Sequence, residues 1–481
     1  MKQNKLWKAI VIIIALLLVG SWIVPASVFS SEGFSKAGYA PFGLLDIIQA
    51  PLRFFDWSFI KTQLSTDGTT VMAYSYVSIL LVIFVTGIFY SILNKTGAYG
   101  NLIKDIVKKF EKKRKLFFIG TSIFFLAFSS IVGINILAFI LIPFFTTILL
   151  KLNYSRLSTF VATFLAVLLG NIVSITGTDV VGINNIMYNL TVGTDLVFKG
   201  LLFLLFVVVF ILYMQYKKEP ELELEEIEEK IVEKKEKSYA PIVLLSIFFL
   251  IILIIGSYNW YYVFSSSSFY EAYESLMETT IGGYPIAKNI FGMIEPFGYW
   301  SGFTISTILI LMGLMISFIY SISFEEIKEC ASTGIKRMSK VAVYATLSFI
   351  PMVMLTQIGG VETFLTTIIG FVYNHITKLV VPFTALATTI YGIFIGDYYA
   401  LSSALGSVIS SSFQENVLSL SVLTMQMMHG LVCLVAPTSL FLVMGLSYLK
   451  IPYQKWLSYI WKLFLVLLIF ALGFLLLMNL I

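Results

Sequence analysis

Leu116–Leu150 is a run of 35 residues without one charged side chain, closed by Lys115 at one end and Lys151 at the other. A helix needs about 20 residues to cross a hydrocarbon core, so this run is too long for one comfortable crossing. Loops that hold Lys and Arg stay on the cytoplasmic side, which places both of its ends there. The run must therefore turn back, and S-S-I-V-G-I-N at Ser129–Asn135 is where the turn is expected, giving a hairpin that dips in and returns. Non-helical backbone at that depth survives only where protein or a water-filled cavity satisfies its polar groups.

Further uncharged runs are Ala9–Ser31, Gly68–Asn94, Leu157–Thr178, Ser238–Tyr270, Pro296–Phe324, Val341–Val361, Leu379–Gly396 and Asn416–Leu449, with Trp456–Ile481, which is uncharged apart from Lys462, and a shorter one at Gly200–Tyr216. Only 12% of the residues are charged, against roughly a quarter in a soluble domain. The expected fold is an all-α polytopic membrane protein of about 10–12 transmembrane helices in two halves, with re-entrant hairpins and broken helices. The halves are residues 1–216 and 238–481. Between them Lys217–Lys237, with nine Glu and six Lys, cannot enter a bilayer; it reads as a solvated cytoplasmic tether or as a regulatory docking segment.

Basic residues put the N-terminus, Lys95–Lys115 and Glu325–Lys340 in the cytoplasm, leaving Glu32–Asp67 and Glu271–Glu295 outside. Lys2, Lys5 and Lys8 ahead of an apolar run resemble a signal peptide, but a retained first helix fits better with the membrane-bound remainder. The expected location is a cell (plasma) membrane. The net charge of +5 follows from these loops and gives no reason to expect nucleic acid. Cys330, in a cytoplasmic loop by this reading, and Cys433 form no CxxC pair, and no disulfide is expected. K-L-N-Y-S-R-L-S at Lys151–Ser158 echoes K-I-P-Y-Q-K-W-L-S at Lys450–Ser458. Either the halves are parallel repeats, or these are two similar interfacial turns.

Polar interruptions mark the candidate site. Asn416–Leu449 breaks at A-P-T-S, where Pro437 removes a helical hydrogen bond. G-N-I-V-S-I-T-G-T-D-V-V-G-I-N-N at Gly170–Asn185 offers carbonyl, hydroxyl and amide oxygens to a hard cation such as sodium, or is a polar loop outside the membrane. Asp397, followed by the small residues Ala400–Ser412, either faces a cavity, ion or partner at a re-entrant tip or caps a helix at the outer surface. Glu362 carries the same ambiguity. His429 in M-Q-M-M-H-G-L reads as a hydrogen-bonded core histidine more readily than as a proton relay.

Enzyme chemistry finds no support. Asp397 lacks the first glycine of the Gly-x-Gly-Asp pattern of intramembrane aspartyl proteases, no Tyr-Asp pair lies in an apolar run, and neither HExxH nor a P-loop occurs.

Four segments carry a family resemblance: W-I-V-P-A at Trp22–Ala26, L-N-K-T-G-A at Leu93–Ala98, P-T-S at Pro437–Ser439, and G-L-S-Y-L-K-I-P-Y-Q-K-W at Gly445–Trp456. With them the chain resembles the YfcC-like carriers, relatives of the anaerobic dicarboxylate carrier DcuC in the ion transporter superfamily. The resemblance implies a scaffold, a mobile transport domain with elevator-like movement, re-entrant hairpins and a small carboxylate-bearing solute. The chain departs from the pattern where Asn135 replaces an acid and where His429 and Cys433 precede P-T-S.

The function expected is secondary transport, coupled to sodium or protons, of an amino acid or a dicarboxylate. Asn135, Asn171, Thr176, Ser402, Ser403, Pro437, Thr438 and Ser439 are the candidate substrate ligands. Ser174, Thr178, Asp179 and Asp397 are the candidate ion-coupling residues. No cofactor is expected, with a sodium ion as the candidate exception. The partners expected are the solute and the lipid bilayer, and a homodimer is compatible with the sequence. The rival reading is a non-transporting membrane scaffold or subunit.

Overall fold

The computed structural model describes residues 5–30, 32–38, 41–53, 76–190, 196–216, 237–292, 294–357, 365–376, 379–412 and 415–480. Glu362 and all of the acidic linker except Lys237 lie outside them.

In the first half the principal helices are α1 (Leu6–Ile23), α2 (Tyr76–Thr96), α3 (Arg114–Ile131), α4 (Asn135–Lys151) and α5 (Arg156–Ile172, with one π turn). A further π turn, Thr178–Gly182, runs into Ile183–Tyr188 as α6, and α7 is Leu196–Tyr216. The second half contributes α8 (Ala240–Ser257), α9 (Gly302–Ile319), α10 (Phe324–Gln357), α11 (Val380–Phe394) and α12 (Tyr398–Ser412). It closes with α13 (Glu415–Cys433), α14 (Leu440–Tyr448) and α15 (Tyr453–Leu480).

Among the described residues eight helices are long and apolar enough to cross a membrane, and four shorter apolar ones accompany them. The protein is an all-α polytopic membrane protein; the strands among the described residues form two short hairpins. Side chains such as Phe318 on α9, 88% exposed, and Ile469 on α15, 70% exposed, form an apolar outer surface suited to lipid rather than water.

One expectation needs correction. Glu325–Lys340, read from its charges as a loop, is the first half of the continuous 34-residue helix α10. Ser323 and Glu326 explain the start: the Ser323 hydroxyl accepts the Glu326 N–H (3.3 Å), and the Glu326 carboxylate accepts the Ser323 N–H (2.9 Å), a reciprocal capping box. Lys95 adds ion pairs to Glu326 and Glu329 at 3.6 and 3.0 Å. Cys330 accordingly sits buried on α10, its thiol 3.6 Å from the Ser91 carbonyl.

Helix α10 lies along α2, which also packs on α9. The backbones approach closely at glycines: a Cβ on Gly87 would come 2.5 Å from the Gly334 carbonyl oxygen, and one on Gly302 would come 2.9 Å from Ser78.

Beside this group stand two matching units. In the first, α3 and α4 form a hairpin with its tip at residues 132–134, and it crosses the gap at 173–177 between α5 and α6. In the second, the hairpin of α11 and α12 has its tip at residues 395–397, and it crosses the gap at 434–439 between α13 and α14. The turn expected near Ser129–Asn135 and the breaks expected at Pro437 and within Gly170–Asn185 are therefore present.

The hairpins open toward opposite ends of the molecule. Arg114 lies over the Tyr154 ring (5.4 Å), and Phe160 packs on Trp456 (4.7 Å), so the open end of the first hairpin and the far end of α14 are together. The second hairpin opens at the other end, where Phe383 meets Tyr373 and Tyr373 meets Phe34 of the N-terminal β-hairpin. The units are thus inverted. The two echoing turns sit at one end but are not equivalent, since one precedes a broken helix and the other follows one; they are similar interfacial turns.

Gly133 combines a φ of +62° with a neighbour so close that a Cβ would lie 2.3 Å from the Gly177 Cα. Gly133→Ala should cost about 1–3 kcal/mol through overpacking and backbone strain. Gly120→Ala on α3, where a Cβ meets nothing within 4 Å, should be neutral or slightly stabilising. Melting in detergent compares the two; equal melting temperatures would contradict the close crossing.

Candidate functional site

The first crossing is assembled from backbone that two helix interruptions set free. The Ser130 carbonyl accepts the N–H groups of Ile175, Thr176 and Gly177 at 2.9, 3.1 and 3.1 Å. The Val132 and Gly133 carbonyls accept those of Thr178 (3.1 Å) and Asp179 (3.0 Å). Side chains complete the seam: the Ser130 hydroxyl donates to the Val173 carbonyl (2.7 Å) and the Thr176 hydroxyl to that of Ile131 (2.7 Å). Glycine is required because Gly177 and Gly133 lie in contact.

Asp179 Oδ2 accepts the backbone N–H of Asn135 at 2.9 Å, so a carboxylate from one arm of the crossing caps α4 on the other. The N-terminus of a helix favours negative charge. Ser129 donates to Asn171 Oδ1 (2.6 Å), and Asn171 Nδ2 donates to Asn135 Oδ1 (3.0 Å). From the end of α8, the Tyr258 hydroxyl donates to the Thr176 carbonyl (2.6 Å), and the Asn259 N–H donates to the Thr178 hydroxyl (3.0 Å).

The second crossing repeats the device with different residues. A Cβ on Gly396 would come 2.3 Å from the Thr438 carbonyl oxygen, and the Thr438 hydroxyl donates to the Ile393 carbonyl (2.8 Å). Asp397 Oδ1 accepts the Ala400 N–H (2.8 Å) and so caps its own helix α12. Asp397 therefore caps a helix, but it lines the cavity and not the outer surface, where the alternative reading places it. His429 and Cys433 stand one turn apart on α13, Nε2 to Sγ 3.5 Å, with the thiol 3.7 Å from the Gly396 carbonyl. Tyr398 and Tyr188 tie the units together, donating to Asn184 Oδ1 (2.7 Å) and the Ser402 carbonyl (3.1 Å).

Between the crossings lies a cavity of about 190 Å³, smaller than the sites that take drug-sized molecules. Of the candidate residues, Asn135, Asn171, Thr178, Asp179, Asp397, Thr438 and Ser439 line it. The other five do not. Ser174 is buried with its hydroxyl 3.5 Å from the Ser130 carbonyl, and Thr176 belongs to the seam. Pro437 makes the break without reaching the space, while Ser402 is buried and Ser403 exposed on α12.

The wall also contains Gln426, His429, Cys433, Tyr398, Asn259, Ser257, Tyr299 and Trp300. Gln426 escaped the sequence reading, although an amide in an apolar helix is itself a signal, because a buried polar group must find a partner. It donates from Nε2 to the Ile172 and Ser174 carbonyls, both at 3.2 Å, at the end of α5. That geometry fixes the amide orientation, because a flipped side chain would set its oxygen against two carbonyls. Oε1 is buried without a hydrogen-bond partner, as is the Ser257 hydroxyl. Among the described lining residues two are acids, none is Lys or Arg, and His429 is the sole basic group.

Residues 4–480 match the model of the C4-dicarboxylate anaerobic carrier family, DcuC. The chain belongs to that family. No curated protein matches the chain.

Replacing Gln426 tests the wall. Gln426→Leu keeps the volume but withdraws the donor from the Ile172 and Ser174 carbonyls, at an expected cost of about 1–3 kcal/mol. Gln426→Glu, which brings a carboxylate to the same carbonyls, should cost more. The order wild type, Leu, Glu in detergent melting temperature is the expected result; Glu above Leu would contradict the assigned orientation.

Proposed function

We propose that this protein is a cation-coupled secondary carrier that moves a small carboxylate-bearing solute, an amino acid or a dicarboxylate, through the cavity between the two crossings. The single observation behind this reading is the convergence on that cavity of two inverted hairpin tips, each bearing or receiving an aspartate at a helix N-terminus. Membership of a dicarboxylate carrier family supports it. Transporter sites built from broken helices use freed N–H groups for anionic solutes and carboxylates or carbonyls for the coupling cation.

Asp397 is the coupling residue in this reading, as a cation ligand or proton acceptor. The solute carboxylate meets the N-terminus of α14, where Thr438, Ser439 and Leu440 line the cavity and no side chain caps the helix, with Asn135 across from it. The end that gathers Arg114, Lys115, Lys151 and Lys450 faces the cytoplasm by the rule that basic loops stay inside, and the host is a cell membrane. A scaffold protein would have no need for paired acids around an enclosed space.

Asp397→Asn keeps the size of the cap and removes the charge. In proteoliposomes this variant should insert normally while uptake stops or loses its dependence on the cation gradient. Unchanged gradient-driven uptake would remove Asp397 from the mechanism.

A further inference from the structure

The charge inventory of the cavity restricts its solute further. A dianion placed beside Asp179 and Asp397 is opposed by like-charge repulsion, and no Lys or Arg among the described lining residues offsets it. Two helix N-termini at the cavity, those of α4 and α12, already hold the protein's own carboxylates, and that of α14 offers room for one more. The caps on α4 and α12 satisfy one oxygen of each carboxylate, and since no Lys or Arg among the described lining residues pairs with them, a positive partner would have to enter from outside.

The acceptors left open favour an organic cation over a metal ion in the first unit. The Ser130, Val132 and Gly133 carbonyls, the hard oxygens a metal would seek, already accept N–H groups across the seam. No cluster of three or more His, Cys, Asp or Glu among the described residues could hold a metal. What remains is Asp179 Oδ1, which makes no hydrogen bond among the described residues, with the unpartnered Gln426 Oε1 and Ser257 hydroxyl in the same wall. Tyr299, Trp300 and Phe349 add aromatic surface, to which ammonium groups are attracted.

We propose that the solute carries a protonated amine together with its carboxylate, and that Asp179 receives the amine. The proposal rests on the carrier reading and narrows it: the carboxylate goes to the N-terminus of α14, the amine to Asp179 in the other unit, and Asp397 is left to the coupling cation. The bipolar solute is held between the two crossings by opposite ends.

Matched pairs that differ in the amine test this. Binding to the full-length protein in detergent is measured by thermal shift and calorimetry with aspartate against succinate, leucine against 4-methylpentanoate, and lysine against hexanoate. A solute that binds only the native state raises its melting temperature. In at least one pair the amine-bearing member should bind at least tenfold more tightly. Asp179→Asn, which preserves the cap on Asn135, should weaken that binding by about tenfold or more, the scale of one charged hydrogen bond, and narrow the difference within the pair. Failure of every pair that binds to show that preference, succinate binding as tightly as aspartate for example, would overturn the proposal and leave the carrier reading standing. No binding by any member, in sodium or choline and across pH, would overturn both. If Asp179→Asn fails to fold, the wild-type pairs decide alone.

Discussion

Everything in this molecule depends on satisfying backbone that leaves the helix inside an apolar body. Each freed N–H or carbonyl in hydrocarbon costs several kcal/mol, and two hairpin tips with two helix breaks free many of them at once. The structure solves this by crossing each tip over a break, so that one interruption supplies the partners for the other. Ser130 accepting three N–H groups is the clearest instance. The close passage this requires explains why glycine stands at 133, 177 and 396. Once the crossings exist, the half-helices they terminate point their ends into one shared space.

The electrostatics of that space follow from the same arrangement. The N-termini of α4 and α12 are its positive poles, and an aspartate occupies each, from the partner arm in one unit and from the helix itself in the other. The result is a small cavity that is negative in side chains and polar in backbone, with the uncapped start of α14 left over. On the proposed carrier reading, such a site discriminates by the sign and placement of charge more than by volume.

Much of this was legible in the sequence, for physical reasons. A 35-residue uncharged run between lysines allows only a hairpin, and Pro437 followed by Thr and Ser marks a break, so the turn of the first unit and the break at 436–439 could be placed to within a few residues, although proline alone is no such signal, since Pro143 and Pro351 stand inside continuous helices. Asp397 stood out because an acid among apolar runs is expensive. Which small polar residues face the cavity was not legible: Ser402 and Thr176 look no different from Ser439 and Thr178 until the helix rotation and the seam are known. Gln426 lay one turn from the histidine that drew the eye. The charged start of α10 was misjudged because the charges spoke for solvent, while the S-F-E-E capping box at Ser323 spoke for a helix.

The central claim, that the cavity between the crossings is where the solute passes, is tested most directly at Cys433, which lines it beside the Gly396 tip. In a Cys330→Ser background, a small methanethiosulfonate reagent is applied to proteoliposomes, and uptake is measured with and without the solute present during labelling. The expected result is loss of uptake on labelling and protection by the solute. Full uptake by protein whose Cys433 is completely modified would contradict the assignment of this cavity.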